Sequence, residues 1–337
     1  MPYKTLIIAE AGVNHNGKLL LAKKFVDQAV LMKADAIKFQ TFKTENVISK
    51  MAPKATYQKK TTSAKESQFD MVKKLELSFQ DFENLYAYCR EKKIQFLSSP
   101  FDLESVDFLA DLGVSLFKIP SGEITNDGLL ERVAKIGKPM ILSTGMSTLP
   151  EIQEALNVIY KTKNRQVTLL HCVTAYPTPY KDANLKAMLT LQKEFNVPVG
   201  FSDHTLGIEM SIAAVALGAT VIEKHFTLDK KSSGPDHQAS LEPREFKQMV
   251  DAIRHVEQGL GTGIKKPTAE ELKNLSVARK SLIAARDLEV GETIAFDDIV
   301  IKRPGNGIPP KEMSKVLGSK VKKSIKQDEL IQWEHVV

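Results

Sequence analysis

Cysteine is scarce in this 337-residue chain. Its two cysteines, Cys89 and Cys172, lie in unrelated contexts, too few for a disulfide framework and in keeping with a reducing compartment. Long apolar runs are missing too. None reaches the ~20 residues that a membrane-spanning helix needs. The first run, TLIIAEAG, is cut by Glu10 and reads as a strand, not as an export signal. A soluble, cytoplasmic protein with no membrane partner is expected. No Walker sequence occurs, and the turn GVNHNG (12–17) does not match a dinucleotide fingerprint. Charge of one sign is not in excess: 47 basic residues against 41 acidic ones leave +6, spread along the chain. Without a basic stripe interleaved with aromatics, no nucleic-acid partner is expected; the charge suits a small anionic substrate.

What is present is a repeat. Eight short apolar runs each turn polar or ionisable at the C-terminal end: TLIIAEAG (5–12), AIKFQ (36–40), IQFLSSP (94–100), LFKIPSGE (116–123), PMILSTG (139–145), VTLLHC (167–172), VPVGFSDH (197–204) and TVIEKHF (220–226). Helical patterns fill the intervals. In 19–34, Ala22, Phe25, Val26, Ala29 and Val30 share a face, and in 78–93 Ser78 caps a helix that buries Phe82, Leu85 and Cys89. Eight strand–helix repeats in roughly 250 residues make an α/β fold of the (β/α)₈ TIM-barrel type, whose chemistry sits where the strands end. One connection is long: residues 43–77 follow a strand end, so they are expected over the barrel mouth as a lid or binding loop. Beyond residue 262 the pattern changes. Residues 263–280 read as a linker, and 281–337, with short strand-like runs broken by Gly and Pro, read as a small β-rich module.

The strand ends hold the candidate chemistry. His204 and His225 close adjacent strands, so their imidazoles can converge on Mn²⁺, Fe²⁺ or Zn²⁺; two separate hydrogen-bonded histidines are the alternative. His171 also ends a strand, in an undecided direction. Lys38 and Lys118 each follow apolar residues, and a buried ammonium needs an anion. With Ser121, Ser143 and nearby glycine N–H groups they make a phosphate or carboxylate cradle. Glu10 and Glu123, across the mouth from each other, can orient a hydroxyl, exchange protons or pair with a lysine. Arg303, before Pro-Gly-Asn-Gly, is either a surface turn or a guanidinium held out toward a site.

These same residues carry a resemblance. IAEAGVNHNG, IKFQTF, FLSSPFD, FKIPSGE, ILSTGMS, HCVTAYPTPY, GFSDHT, EKHFT with GPDHQAS, and KRPGNG resemble the motifs of the bacterial sialic acid synthases, which condense phosphoenolpyruvate with amino sugars to nonulosonates. The resemblance spans essentially the whole chain. It implies a barrel followed by an antifreeze-protein-like (SAF) domain, in a homodimer that swaps this domain. It implies phosphoenolpyruvate and an N-acetylated mannosamine-type sugar as substrates, and Mn²⁺ or a similar divalent cofactor. By the same resemblance His204 and His225 hold the metal, and Lys38, Gln40, Ser99, Lys118, Ser121 and Ser143 surround phosphoenolpyruvate. Glu123 would stabilise the cation at C2. Glu10, Tyr176 and Asp236 would position the sugar, and Arg303 would arrive from the partner's SAF domain. Thr174 stands where some neuraminate synthases carry Asn, and the 43–77 loop is similar to that of synthases making diacetyllegionaminate. Both point to a diacetamido-trideoxy acceptor, with N-acetylmannosamine as the alternative; another phosphoenolpyruvate-condensing keto-deoxy sugar acid synthase is the more distant one.

Overall fold

The computed structural model describes residues 4–54 and 66–337, which part into two units between Gly261 and Thr262. The first alternates strand and helix: β1 (Leu6–Gly12), α1 (Leu19–Leu31), β2 (Ala36–Thr41), α2 (Phe79–Glu91), β3 (Gln95–Pro100), α3 (Leu103–Leu112), β4 (Phe117–Ile119), α4 (Asp127–Lys135), β5 (Met140–Ser143), α5 (Leu149–Lys161), β6 (Val167–Cys172), α6 (Lys186–Phe195), β7 (Val199–Asp203), α7 (Glu209–Ala216), β8 (Val221–His225) and α8 (Pro243–Gly259). The strands pair in parallel, β1 bonds to both β2 and β8, and β3 lies beside β4, so the sheet closes into the expected TIM barrel.

Helix ends are set by local chemistry. Ser78 and Asp81 exchange side-chain and backbone hydrogen bonds at the start of α2, and α3 starts at Asp102, which accepts the Ser105 N–H.

Period-two alternation then sorts each strand. Ile7, Ala9 and Ala11 of β1 face the helices, in one core with Phe25, Val26, Met249 and Val250. Ile8 faces inward and joins Ala36, Leu97, Ile141, Leu170 and Val221 in a plug that fills the barrel. Two residues further along the same strands come Glu10, Lys38, Ser99, Ser143, Cys172 and Glu223. The inner wall is therefore apolar below and polar above.

Between β2 and α2 stand two short helices, Thr44–Val47 and Gln68–Lys73; residues 55–65 of the expected mouth loop lie outside the described residues. The loop is tied down at its ends. Thr44 donates its hydroxyl to Glu76 at 2.7 Å, and the Lys43 N–H reaches Asp102 at 2.9 Å. Among the described residues no helix is long and apolar enough to cross a membrane.

The second unit has its own core of Leu282, Leu288, Ile294, Ile308, Val316, Val321, Ile325 and Ile331. Strands β9 (Ser281–Ala284) and β10 (Ile299–Lys302) pair antiparallel, and isolated bridges such as Leu288 to Ile325 continue the β character. The expected linker, 263–280, is not structureless. It carries α9 (Ala269–Ala278), because Thr268 and Glu271 form a reciprocal cap and the following AEELKNLSVA contains neither Gly nor Pro.

Candidate active site

At the C-terminal ends of the strands, Glu10, Lys38, Gln40, Lys118, Ser121, Ser143, Tyr176, His204 and His225 line one cavity of about 230 Å³. Nine residues singled out in the sequence thus meet. Gln40, Tyr176 and His225 also line a neighbouring space of about 160 Å³ that holds Asp236. Ser99 stands behind the lining and accepts a hydrogen bond from Lys38 at 3.2 Å.

The charges form a buried chain. Lys38 Nζ lies 2.9 Å from Glu10 and 3.5 Å from Glu223, and Lys118 Nζ lies 3.3 Å from Glu223. Ser202 donates to Glu223 at 2.9 Å, and Gln40 to Glu10 at 3.3 Å. Burial pushes Glu223 up, but the ammonium groups of Lys118 and Lys38 and the Ser202 hydroxyl outweigh it and leave the group down at about 2. Burial dominates at Glu10, which also feels Glu223, and lifts it to about 7 despite Lys38. Lys118 is pulled down by burial, only partly opposed by Glu223 and helped by Lys38. It is the ammonium with most to gain from an added anion.

Ser143 Oγ is buried and has no hydrogen-bond partner, and the same holds for His225 Nδ1. Buried polar atoms in this condition are rare without a ligand. Ser121 is held by the Gly145 N–H at 2.9 Å and by contact with Cys172 Sγ at 3.1 Å. A Cβ on Gly145 would stand 2.4 Å from Thr174 Oγ1 and 2.8 Å from Ser121 Oγ, so the backbone there must be bare.

The rings of His204 and His225 are 5.5 Å apart, with Tyr176 at 4.2 Å from the first and 5.9 Å from the second. Burial lowers both imidazoles, His204 to about 4 and His225 well below its ordinary value, with His204 and Lys38 adding to the effect at His225. His204 donates Nδ1–H to the Val173 carbonyl at 2.8 Å, which leaves Nε2 as a lone pair. Two neutral imidazoles with free nitrogen valence fit a divalent ion. Among the described residues no third His, Cys, Asp or Glu completes a cluster, so an ion held here would keep positions open for oxygen ligands.

Three other residues stand elsewhere. His171 faces away from the barrel and bonds through Nε2 to the Ala183 carbonyl at 2.9 Å; alternation makes its neighbour Cys172 the inward residue. Glu123 sits on a 3₁₀ turn after β4, bonded to Asn126 at 2.7 Å and outside the cavity lining. Arg303, in the second unit, donates to the Ala278 carbonyl at 3.1 Å. The sequence does not single out Ser202, and it marks Glu223 only as an ionisable group at a strand end, with no role. The signal was available: each lies two residues before a histidine already taken as inward.

Comparison with known proteins follows the same division. Residues 25–265 match the model of the NeuB family, and residues 279–337 that of the SAF domain. The chain is 54% identical to a protein of Campylobacter jejuni named N,N'-diacetyllegionaminic acid synthase, over 97% of this chain and 99% of that one. It is 46% identical to the protein of the same name in Legionella pneumophila, over 98% and 94%. Among solved structures, the N-acetylneuraminic acid (sialic acid) synthetase of Leptospira borgpetersenii, crystallised with citrate, is similar with a TM-score of 0.71 and 38% identity, covering 80% of this chain and 90% of that one.

Proposed function

Because this chain belongs to the NeuB family, we propose that it joins C3 of phosphoenolpyruvate to the open-chain aldehyde of an N-acetylated mannosamine-type sugar. Water adds at C2, the bond from C2 to the phosphate-ester oxygen breaks, and phosphate leaves carrying that oxygen. The carrying observation is one cavity in which Ser143 Oγ and His225 Nδ1 lack partners beside two buried ammonium groups. Such a lining suits an anionic substrate, and the neutral imidazoles of His204 and His225 suit a divalent ion.

Lys38, Lys118, Ser121 and Ser143 hold the phosphoenolpyruvate, with Gln40 and Ser99 beside them. Attack by C3 leaves positive charge at C2. A fixed carboxylate near that atom is worth more in the transition state than before it. Glu123 is assigned this role, for which its side chain must leave Asn126. Glu10, Tyr176 and Asp236 orient the sugar, and Glu10 can hold or release a proton at a sugar hydroxyl near neutral pH. A divalent ion between His204 and His225, Mn²⁺ by the resemblance, supplies Lewis acidity at the aldehyde oxygen when bound. Arg303 meets the acceptor from the partner subunit's SAF domain. The acceptor is the 2,4-diacetamido-2,4,6-trideoxy sugar, which the similarity to the Campylobacter jejuni and Legionella pneumophila proteins supports.

The test follows phosphate release from phosphoenolpyruvate with Mn²⁺ and each of two acceptors, the diacetamido-trideoxy sugar and N-acetylmannosamine. Faster release with the first is expected. His225→Ala should abolish both release and Mn²⁺ binding by calorimetry while leaving the far-ultraviolet circular dichroism unchanged. Exclusive use of N-acetylmannosamine would reassign the acceptor, and release with neither sugar would reject the reading.

A further inference from the structure

Gln40 stands at a fork. It lines the catalytic cavity, the space that holds Asp236, and a third space of about 350 Å³ whose lining is completed by Phe42, Val47, Ile48, Ala52, Val72 and Phe101, with Ser49 and Gln68 as its other polar residues. None of the described residues lining this annex carries a charge. Its wall is preformed: Phe42 packs with Val13 and Leu75, and Val47, Val72 and Phe101 lean on that cluster. The Phe42 and Phe101 rings meet edge to face at 6.2 Å.

The two branches differ in what they reward. The Asp236 branch offers a buried carboxylate to hydroxyl groups. The annex offers aliphatic and aromatic surface, with only carboxamides and one hydroxyl where it opens. A hydroxyl-rich sugar end would lose its water there without repayment. An acylamido group fits better, since its amide can meet Gln40 or Gln68 while its alkyl end lies against Phe42, Val47 and Phe101.

Resting on the acceptor reading above, we propose that the annex is the subsite for the second acylamido substituent, the one carried on the acceptor's far nitrogen. It is a specificity element built mainly on the loop after β2, sharing Gln40 and Phe101 with the catalytic cavity but none of the lysines, serines or histidines assigned to phosphoenolpyruvate and the metal. Its volume exceeds that of an acetyl group, so a somewhat longer acyl chain is accepted as well.

The experiment uses the full chain with Mn²⁺ and phosphoenolpyruvate. Ala52→Phe, and independently Val47→Phe, fill the annex. Either should lower kcat/KM for the diacetamido-trideoxy acceptor by about tenfold or more, the scale of a misfitted apolar pocket. Turnover of N-acetylmannosamine and the KM for phosphoenolpyruvate should move less than about threefold, which also reports that the variants fold. Equal losses with both acceptors, or no loss with either variant, overturn the subsite. A measurement on the unaltered enzyme needs no variant: the 4-N-propanoyl homologue should be used within about threefold of the acetyl compound, and a fall beyond about a hundredfold overturns the proposal. Phosphate release with neither sugar overturns the function and the subsite together. Release with both sugars and an unmoved acceptor ratio in the variants overturns the subsite alone.

Discussion

At the scale of single residues, Lys118 and Asp236 make opposite predictions. Lys118 is buried beside Glu223 and held down by burial. Lys118→Ala should raise the KM for phosphoenolpyruvate by the equivalent of ~2–5 kcal/mol, the cost of removing a desolvated charged contact; steady-state phosphate release reads it, and an unchanged KM rejects the cradle. Asp236 is pushed up to about 6 by burial, so its protonated form is the one the fold prefers. Its contribution to stability is fully present below the ordinary carboxyl value and is lost as pH rises through about 6. Asp236→Asn should therefore melt with the wild type near pH 4 and above it near pH 8, by up to about 3 kcal/mol, while acceptor KM rises. A flat difference across pH would refute this. Much of this site was legible from residue types at strand ends, since ammonium, carboxylate and imidazole groups after apolar runs have few other uses. What was not legible was direction. His171 and Cys172 are adjacent, and it is the placing of Leu170 in the barrel plug that fixes the alternation and turns Cys172 inward. Glu123 lies past the end of β4, on a turn whose side-chain direction no period dictates.

At the scale of elements, one inward position of the barrel is so tightly enclosed that it carries no side chain. Gly200 occupies the inward position of β7 below Ser202 and His204, and an added Cβ would come 2.4 Å from the Val221 carbonyl oxygen of β8 and 2.7 Å from Leu170 of β6. Gly200→Ala must push β7 away from its neighbours. We expect ~1–3 kcal/mol of lost stability in urea and weaker Mn²⁺ binding by calorimetry, since His204 and His225 end the two strands being parted. Unaltered affinity would mean that the strand ends are decoupled from the barrel floor. The strand and helix order was readable because each element repeats a period along its whole length. The helix α9 was not, because a short exposed segment with no buried residue has only its cap to announce it.

At the scale of the whole molecule, two cores imply two parts that can be varied apart. The SAF unit holds Arg303, and the proposed swap assigns that guanidinium to the other subunit's barrel. Mixing Arg303→Ala chains with His225→Ala chains discriminates the cases. With the swap, a mixed dimer owns one complete barrel and regains phosphate release that neither parent shows. With Arg303 serving its own barrel, the mixture stays inactive.

The division of the mouth has a consequence for how such a protein diversifies. The groups proposed for the phosphate-bearing substrate come mainly from β2 and β4 to β5, whereas the annex is built from side chains of the loop after β2, with Phe101 just beyond β3. A duplicated copy could redraw residues 42–52 and 68–72 and acquire a new sugar without disturbing the ion-paired floor. Inheritance would then preserve the bond-forming chemistry while the acceptor sugar changes from lineage to lineage, one loop at a time.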